Sequence, residues 1–217
     1  MKPNHHLDHS TVLAYAAGTL EEAFTVVAAS HLAVCPACRL ALREAEAVGG
    51  ELLERLVDTA VSTACRARTL AALDQVAPPP APAPAAVKSE LPLPLARLLH
   101  AAHYDELAWK TKAPGVAMCN VKLPKGARGQ LKLLRIGAGR AMPEHGHGGE
   151  EITMVLKGAY RDHMGRFVAG DVADLDESVE HKPVVEADGD CICLVATERP
   201  TRFKSLGARL LQPFVGI

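Results

Sequence analysis

Two groups of side chains in this sequence have the types and spacing of metal ligands. His31, Cys35 and Cys38 form an H-x-x-x-C-P-x-C run near the start, and His145, His147 and Glu151, joined by His181, form a second set in the latter half. The sets differ in softness. Thiolate with imidazole suits a closed, tetrahedral, structural zinc site, whereas imidazole with carboxylate suits Zn, Mn, Fe, Ni or Cu and can leave coordination positions open for chemistry or sensing. A tetrahedral first site needs a fourth donor, and His5, His6 and His9 are available for it.

The elements that must position the first set read as helices. Thr19-Leu20-Glu21-Glu22 has the form of a capping box, just after a Gly18 suited to closing an earlier helix, so a helix is expected from about Leu20 to Val34 with His31 in its last turn. Cys35 precedes Pro36 and is biased out of the helical region, while Pro36 suits the first position of the next helix. Cys38 then falls in that helix's first turn, where free N–H groups favour a thiolate. Further helical segments are expected over 39–48 and 51–76, broken at Gly49-Gly50. Leu52, Leu53, Leu56, Val57, Ala60 and Val61 follow helical spacing and read as a core stripe, part of which could serve as a docking face.

The second set is positioned by strands. His145 and His147 are two apart and share a face of an extended segment, and the Gly-rich turn after them can bring Glu151 back. Apolar or alternating stretches over 116–123, 131–136, 152–156, 191–196 and 208–211, punctuated by glycines, fit a small antiparallel barrel. Between the halves, residues 77–87 read APPPAPAPAAV, an uncharged, semi-rigid spacer and the expected conduit or cut site for any signal. The fold class expected is α+β in two domains: an all-α zinc-binding module at 1–76, a linker at 77–90 and an all-β module at 91–217.

Charge and composition narrow the partners. Residues 1–76 carry nine acidic and six basic side chains, and residues 88–217 carry sixteen and eighteen, so neither half has the dense basic patch that phosphate binding requires. Direct nucleic-acid binding is disfavoured. The six cysteines lack the pattern of a secreted disulfide framework, the first ten residues lack a signal-peptide core, and no run of ~18 apolar residues could span a bilayer. A cytoplasmic chain with no membrane partner is expected.

Several single residues receive plainer readings. Cys191 and Cys193 alternate within an apolar strand and read as buried structural cysteines, with oxidation of the pair beside a metal-lined interior as the functional reading. Cys65 and Cys119 read as small apolar residues, His100, His103 and His163 as surface or satisfied histidines, and Trp109 as packing for the first strands. Asp171, Asp174, Asp176, Glu177 and Glu180 read as a solvated strand edge, with tuning of His181 as the lesser role.

Residues 139–158 fit G-x5-H-x-H-x3-E-x6-G without a gap, which resembles the first motif of the cupin barrels. His181 stands where the second cupin motif has its histidine, although Ala169-Gly170-Asp171 match the residues before it only in part. The N-terminal HH…LAYAAGTL…HLAVCPAC resembles the zinc-binding anti-sigma domain of ChrR-type regulators. That resemblance runs over essentially the whole chain. It implies zinc ligation by His6, His31, Cys35 and Cys38, and a second zinc in the cupin module at His145, His147, Glu151 and His181. It further implies a non-enzymatic anti-sigma factor. The helical module would inhibit an extracytoplasmic-function sigma factor and the cupin module would sense singlet oxygen or organic peroxides. The rival reading is a metal-dependent, dioxygenase-like cupin enzyme with an attached zinc-binding regulatory domain.

Overall fold

The computed structural model describes residues 2–73, 75 and 88–204. The 77–87 spacer and the strand expected over 208–211 lie outside the described residues. Helix α1 (His9–Ala16) is capped by Asp8, whose side chain accepts from the Ser10 N–H at 2.8 Å. Gly18, at φ +68°, closes it as expected, and the Thr19 and Leu20 N–H groups turn back to the Ala14 carbonyl. That turn uses up Thr19, whose hydroxyl also donates to Ala14. The expected capping box therefore does not form, and α2 (Glu22–Val34) starts two residues later, behind an extended Glu21 that makes no side-chain cap.

Helix α3 (Pro36–Glu54) begins at Pro36 and runs straight through Gly49-Gly50, so the expected break is absent. A helical glycine costs about 1 kcal/mol relative to alanine, and the strong formers on either side of the pair carry the helix across. The segment expected to be helical over 51–76 is instead divided, with α4 (Thr63–Leu73) standing apart. Leu52, Leu53, Leu56 and Val57 are 61–93% exposed, so the expected core stripe is solvent-facing. The core has a different source. Ala23, Phe24, Val27, Ala28, His31 and Leu32 of α2 are all buried, because this helix is covered by α1, α3 and α5 (Leu93–Leu99) on one side and by a sheet on the other.

That sheet has six antiparallel strands: β1 (Lys110–Ala113), β2 (Val116–Asn120), β3 (Gln130–Ile136), β11 (Cys191–Thr197), β5 (Glu151–Lys157) and β8 (Val172–Leu175), in this spatial order. Its even-numbered β11 residues Ile192, Leu194 and Ala196 join Leu131, Leu133, Ile152, Met154 and α2 in one apolar cluster. Its odd-numbered residues Cys191, Cys193 and Val195 face a second cluster with Leu134, Ile136 and Val155. Over that second face lie two three-stranded sheets. One is β10 (Val184–Val185), β6 (Ala159–Asp162) and β7 (Gly165–Val168); the other is β12 (Arg202–Phe203), β4 (His145–Gly146) and β9 (Glu180–His181). The expected closed barrel is thus an assembly of three sheets around one interior. Strands of two residues, as in β4, β9, β10 and β12, are too short to continue a ladder around a ring.

Phe24 ties the helices to the sheet, so Phe24→Ala should destabilise by about 3–5 kcal/mol. Denaturation followed by helical circular dichroism and by the fluorescence of Trp109, the only tryptophan, should shift to the same lower midpoint.

Candidate metal centres

At the first centre, residues 3–8 lie along the sheet edge beside β8. Asp171 organises them: fully buried, its carboxylate accepts from the backbone N–H groups of Asn4 (2.6 Å), His5 (3.2 Å) and Val168 (2.9 Å). The solvated edge expected at Asp171 is therefore corrected, since a segment 166 residues away in sequence covers it. Asp174 likewise accepts from the Asp8 N–H at 2.9 Å, while Asp176, Glu177 and Glu180 are exposed. This anchoring sorts the N-terminal histidines. His5 stacks on Phe167 with ring centroids 4.1 Å apart, and its Nε2 lies 3.1 Å from the Arg166 carbonyl. His6 turns the other way, placing Nδ1 3.3 Å from Cys35 Sγ, and His9 opens α1.

Cys35 ends α2 and caps α3 in extended geometry (φ −104°, ψ 106°), and the Cys38 N–H donates to its sulfur. His31 is fully buried. Its Nδ1 donates to the Gly170 carbonyl at 2.9 Å, leaving Nε2 to face Cys38 Sγ at 3.3 Å. One donor atom from each of His6, His31, Cys35 and Cys38 lies within 4.8 Å of the others. Burial holds the His31 imidazole down at about 4 and pushes the Cys38 thiol up to about 11. His31 and Cys38 are therefore held neutral, and a soft divalent ion that displaces the Cys38 proton fits the set.

At the second centre, the β4–β9 register sets His145 directly opposite His181. His145 Nδ1 donates to the Pro143 carbonyl at 2.8 Å and His181 Nδ1 to Asp162 at 2.9 Å. Both Nε2 atoms are then acceptors, yet they face each other at 3.0 Å. His147 Nε2 is also buried and has no partner among the described residues, while its Nδ1 lies 3.2 Å from Glu151 Oε2. Lone pairs converging in a dry pocket repel unless an electrophile sits among them, and a metal cation fits this donor set. The three histidines offer atoms within 4.8 Å of one another, and Glu151 stands just outside that group. Burial lowers the pKa of both His145 and His181, keeping them in the neutral form that ligates. Burial raises Glu151, but its contacts with the histidines outweigh this and leave it lowered and ionised.

An apolar cavity opens beside the triad, lined by residues that include Leu134, Ile136, Val185, Cys193 and Phe203. Cys191 Sγ and Cys193 Sγ point into it 3.6 Å apart, both buried. The hydrogen bond with Cys191 and burial hold the Cys193 thiol well above its ordinary range. Elsewhere His100, His103 and His163 are exposed, Cys119 is buried and Cys65 half-buried. Trp109 donates to the Tyr104 carbonyl and carries the Arg135 guanidinium 4.5 Å over its ring.

Residues 99–200 match the family described as the ChrR cupin-like domain. Over all 217 residues, covering the whole of both chains, the sequence is 43% identical to the anti-sigma-E factor ChrR of Cereibacter sphaeroides. The chain belongs to the ChrR family. A crystal structure of Rhodobacter sphaeroides SigE in complex with the anti-sigma ChrR matches with a TM-score of 0.74 and 42% identity, covering 90% of this chain and 99% of that one. Among the described residues of this ChrR-family chain, no single helix is long and apolar enough to cross a membrane.

Sequence reasoning missed Asp162, the partner of His181, and the Gly170 carbonyl that orients His31. Both contacts depend on register and docking rather than on any local pattern. It also missed Lys132 and Tyr160, whose polar ends are buried without partners among the described residues.

Kept metal-free with a chelator, the protein should lose stability in acid. The unfolded His31 takes its proton near the ordinary 6.5 and the folded one only near 4, so its stabilising contribution is complete above about 6.5 and is lost as pH falls toward 4. Urea midpoints measured across that window should decline, and in His31→Gln the decline should be shallower.

Proposed function

We propose that this chain is an anti-sigma factor. Its helical part binds and inhibits an extracytoplasmic-function sigma factor, and its cupin-like part releases that partner in response to singlet oxygen or organic peroxides, so regulating transcription. The reading divides the chain into a zinc-binding domain at 1–76, a Pro/Ala-rich linker at 77–90 and a cupin metal-binding domain at 91–217. It assigns two zinc ions, one to His6, His31, Cys35 and Cys38 and one to His145, His147, Glu151 and His181. The first ion would cross-link the N-terminal segment, α2 and α3; the second would supply a Lewis-acid centre beside the cavity.

The observation that carries the reading is the apolar surface left open past the middle of α3. Val48, Leu52, Leu53, Leu56, Val57 and Val61 are 58–93% exposed, more than an isolated small domain leaves in one contiguous stretch of chain. The full-length similarity to a ChrR, and to a ChrR solved with SigE, supports a sigma factor as the occupant. The near-balanced charge of both halves argues against nucleic acid as the partner. The six free cysteines support a reducing, cytoplasmic setting.

Cys191 and Cys193 are the proposed redox pair. Closing a disulfide between them would pass two electrons and two protons to an organic peroxide, leaving an alcohol and water. Such a change inside the cupin-like part has a direct route to the helices, because His31 is hydrogen-bonded to Gly170 and the N-terminal segment to Asp171.

Replacing Leu53 and Leu56 together by Glu should weaken capture of the sigma factor by roughly tenfold or more while leaving the zinc content unchanged. Unaltered capture would remove this surface from the interface. The cavity beside the histidine triad favours one rival, a dioxygenase-like enzyme. That reading requires oxygen-dependent consumption of a substrate by the metal-loaded chain, abolished by His147→Ala.

A further inference from the structure

Two donors inside the cupin-like part have no acceptor among the described residues. Lys132 points from β3 into the cavity, is 2% exposed, and its Nζ has no hydrogen-bond partner among the described residues. Tyr160, on β6, lines the same cavity with a hydroxyl that is also buried and without a partner among the described residues. A buried ammonium without an acceptor is among the more costly arrangements a protein can hold. Glu151, the anionic side chain lining the cavity, attracts Lys132 but does not bond to it. Glu151 accepts from the Thr153 hydroxyl at 3.1 Å through Oε1 and faces His147 through Oε2, and it makes no ion pair with Lys132.

We propose that this cavity is the binding site for a small aliphatic monocarboxylate. Lys132 and Tyr160 hold its anionic head, and Leu134, Ile136, Val185 and Phe203 enclose its chain. An apolar enclosure with a few convergent polar groups is the usual form of a small-molecule site. The site makes the cupin-like part a receptor for a metabolite in its own right, and it stands whether or not the chain captures a sigma factor.

Titration calorimetry of the full-length, metal-loaded protein with hexanoate tests the assignment, with 1-hexanol as the uncharged probe of the same chain. Saturable binding of hexanoate and at least about tenfold weaker binding of hexanol are expected, as for a charged hydrogen bond. Lys132→Met, which keeps the stem and removes the charge, should lose hexanoate affinity by a similar factor. Tyr160→Phe should lose several-fold, and it serves as the deciding variant if Lys132→Met does not fold by circular dichroism. Absence of hexanoate binding would overturn the proposal. So would equal affinity for hexanol, or unchanged affinity in a folded Lys132→Met and in Tyr160→Phe, which would place the carboxylate on the metal alone. Sigma-factor capture is scored separately on the same preparations, so failure of one reading leaves the other tested.

Discussion

The imidazole of His31 is held from both sides. Nδ1 donates to the Gly170 carbonyl in the turn between β7 and β8, and Nε2 faces Cys38 at the start of α3. One buried ring therefore joins the cysteine-bearing elbow of the helices to the edge of the sheet, and the rest of the arrangement follows from where it sits. Fixing Nδ1–H to a carbonyl settles the tautomer and aims Nε2 at the sulfurs. Asp171, the residue after Gly170, then anchors the backbone of Asn4 and His5 and so delivers His6 to Cys35. The first centre is built as much from the sheet as from the helices that supply its ligands.

The second centre obeys the same rule in a different chemistry. Each histidine gives one ring nitrogen to an oxygen acceptor, Pro143, Asp162 or Glu151, and turns the other inward. The acceptors come from three separate pieces of chain. The triad's orientation is consequently a property of the assembled sheets, and loosening of the β4–β9 pairing would disperse it.

Much of this was legible in the sequence wherever short-range chemistry governs. Pro36 forced the elbow at Cys35, Gly18 closed α1, and period-two spacing put Cys191 and Cys193 on one face. Where the sequence misled, a longer-range effect had won. Thr19 turned back to Ala14 instead of capping α2. The apolar run at Leu52–Val57 found no interior because α2 already fills the space between helices and sheet. Asp171 looked like surface because the segment that buries it lies at the other end of the chain. His6 could be chosen over His5 only by resemblance, since the decision rests on the stacking of His5 against Phe167.

Every residue of β11 is buried, and alternate residues belong to different interiors. Ile192, Leu194 and Ala196 pack toward α2, while Cys191, Cys193 and Val195 wall the cavity. The strand is a partition one backbone thick, with paired neighbours on both edges and no loose side into which strain could relax. A change of volume or bonding on its cavity face has to be absorbed by the packing of α2. Substitutions along β11 are accordingly judged twice, once by each compartment, which narrows what this strand can accept to residues that satisfy both.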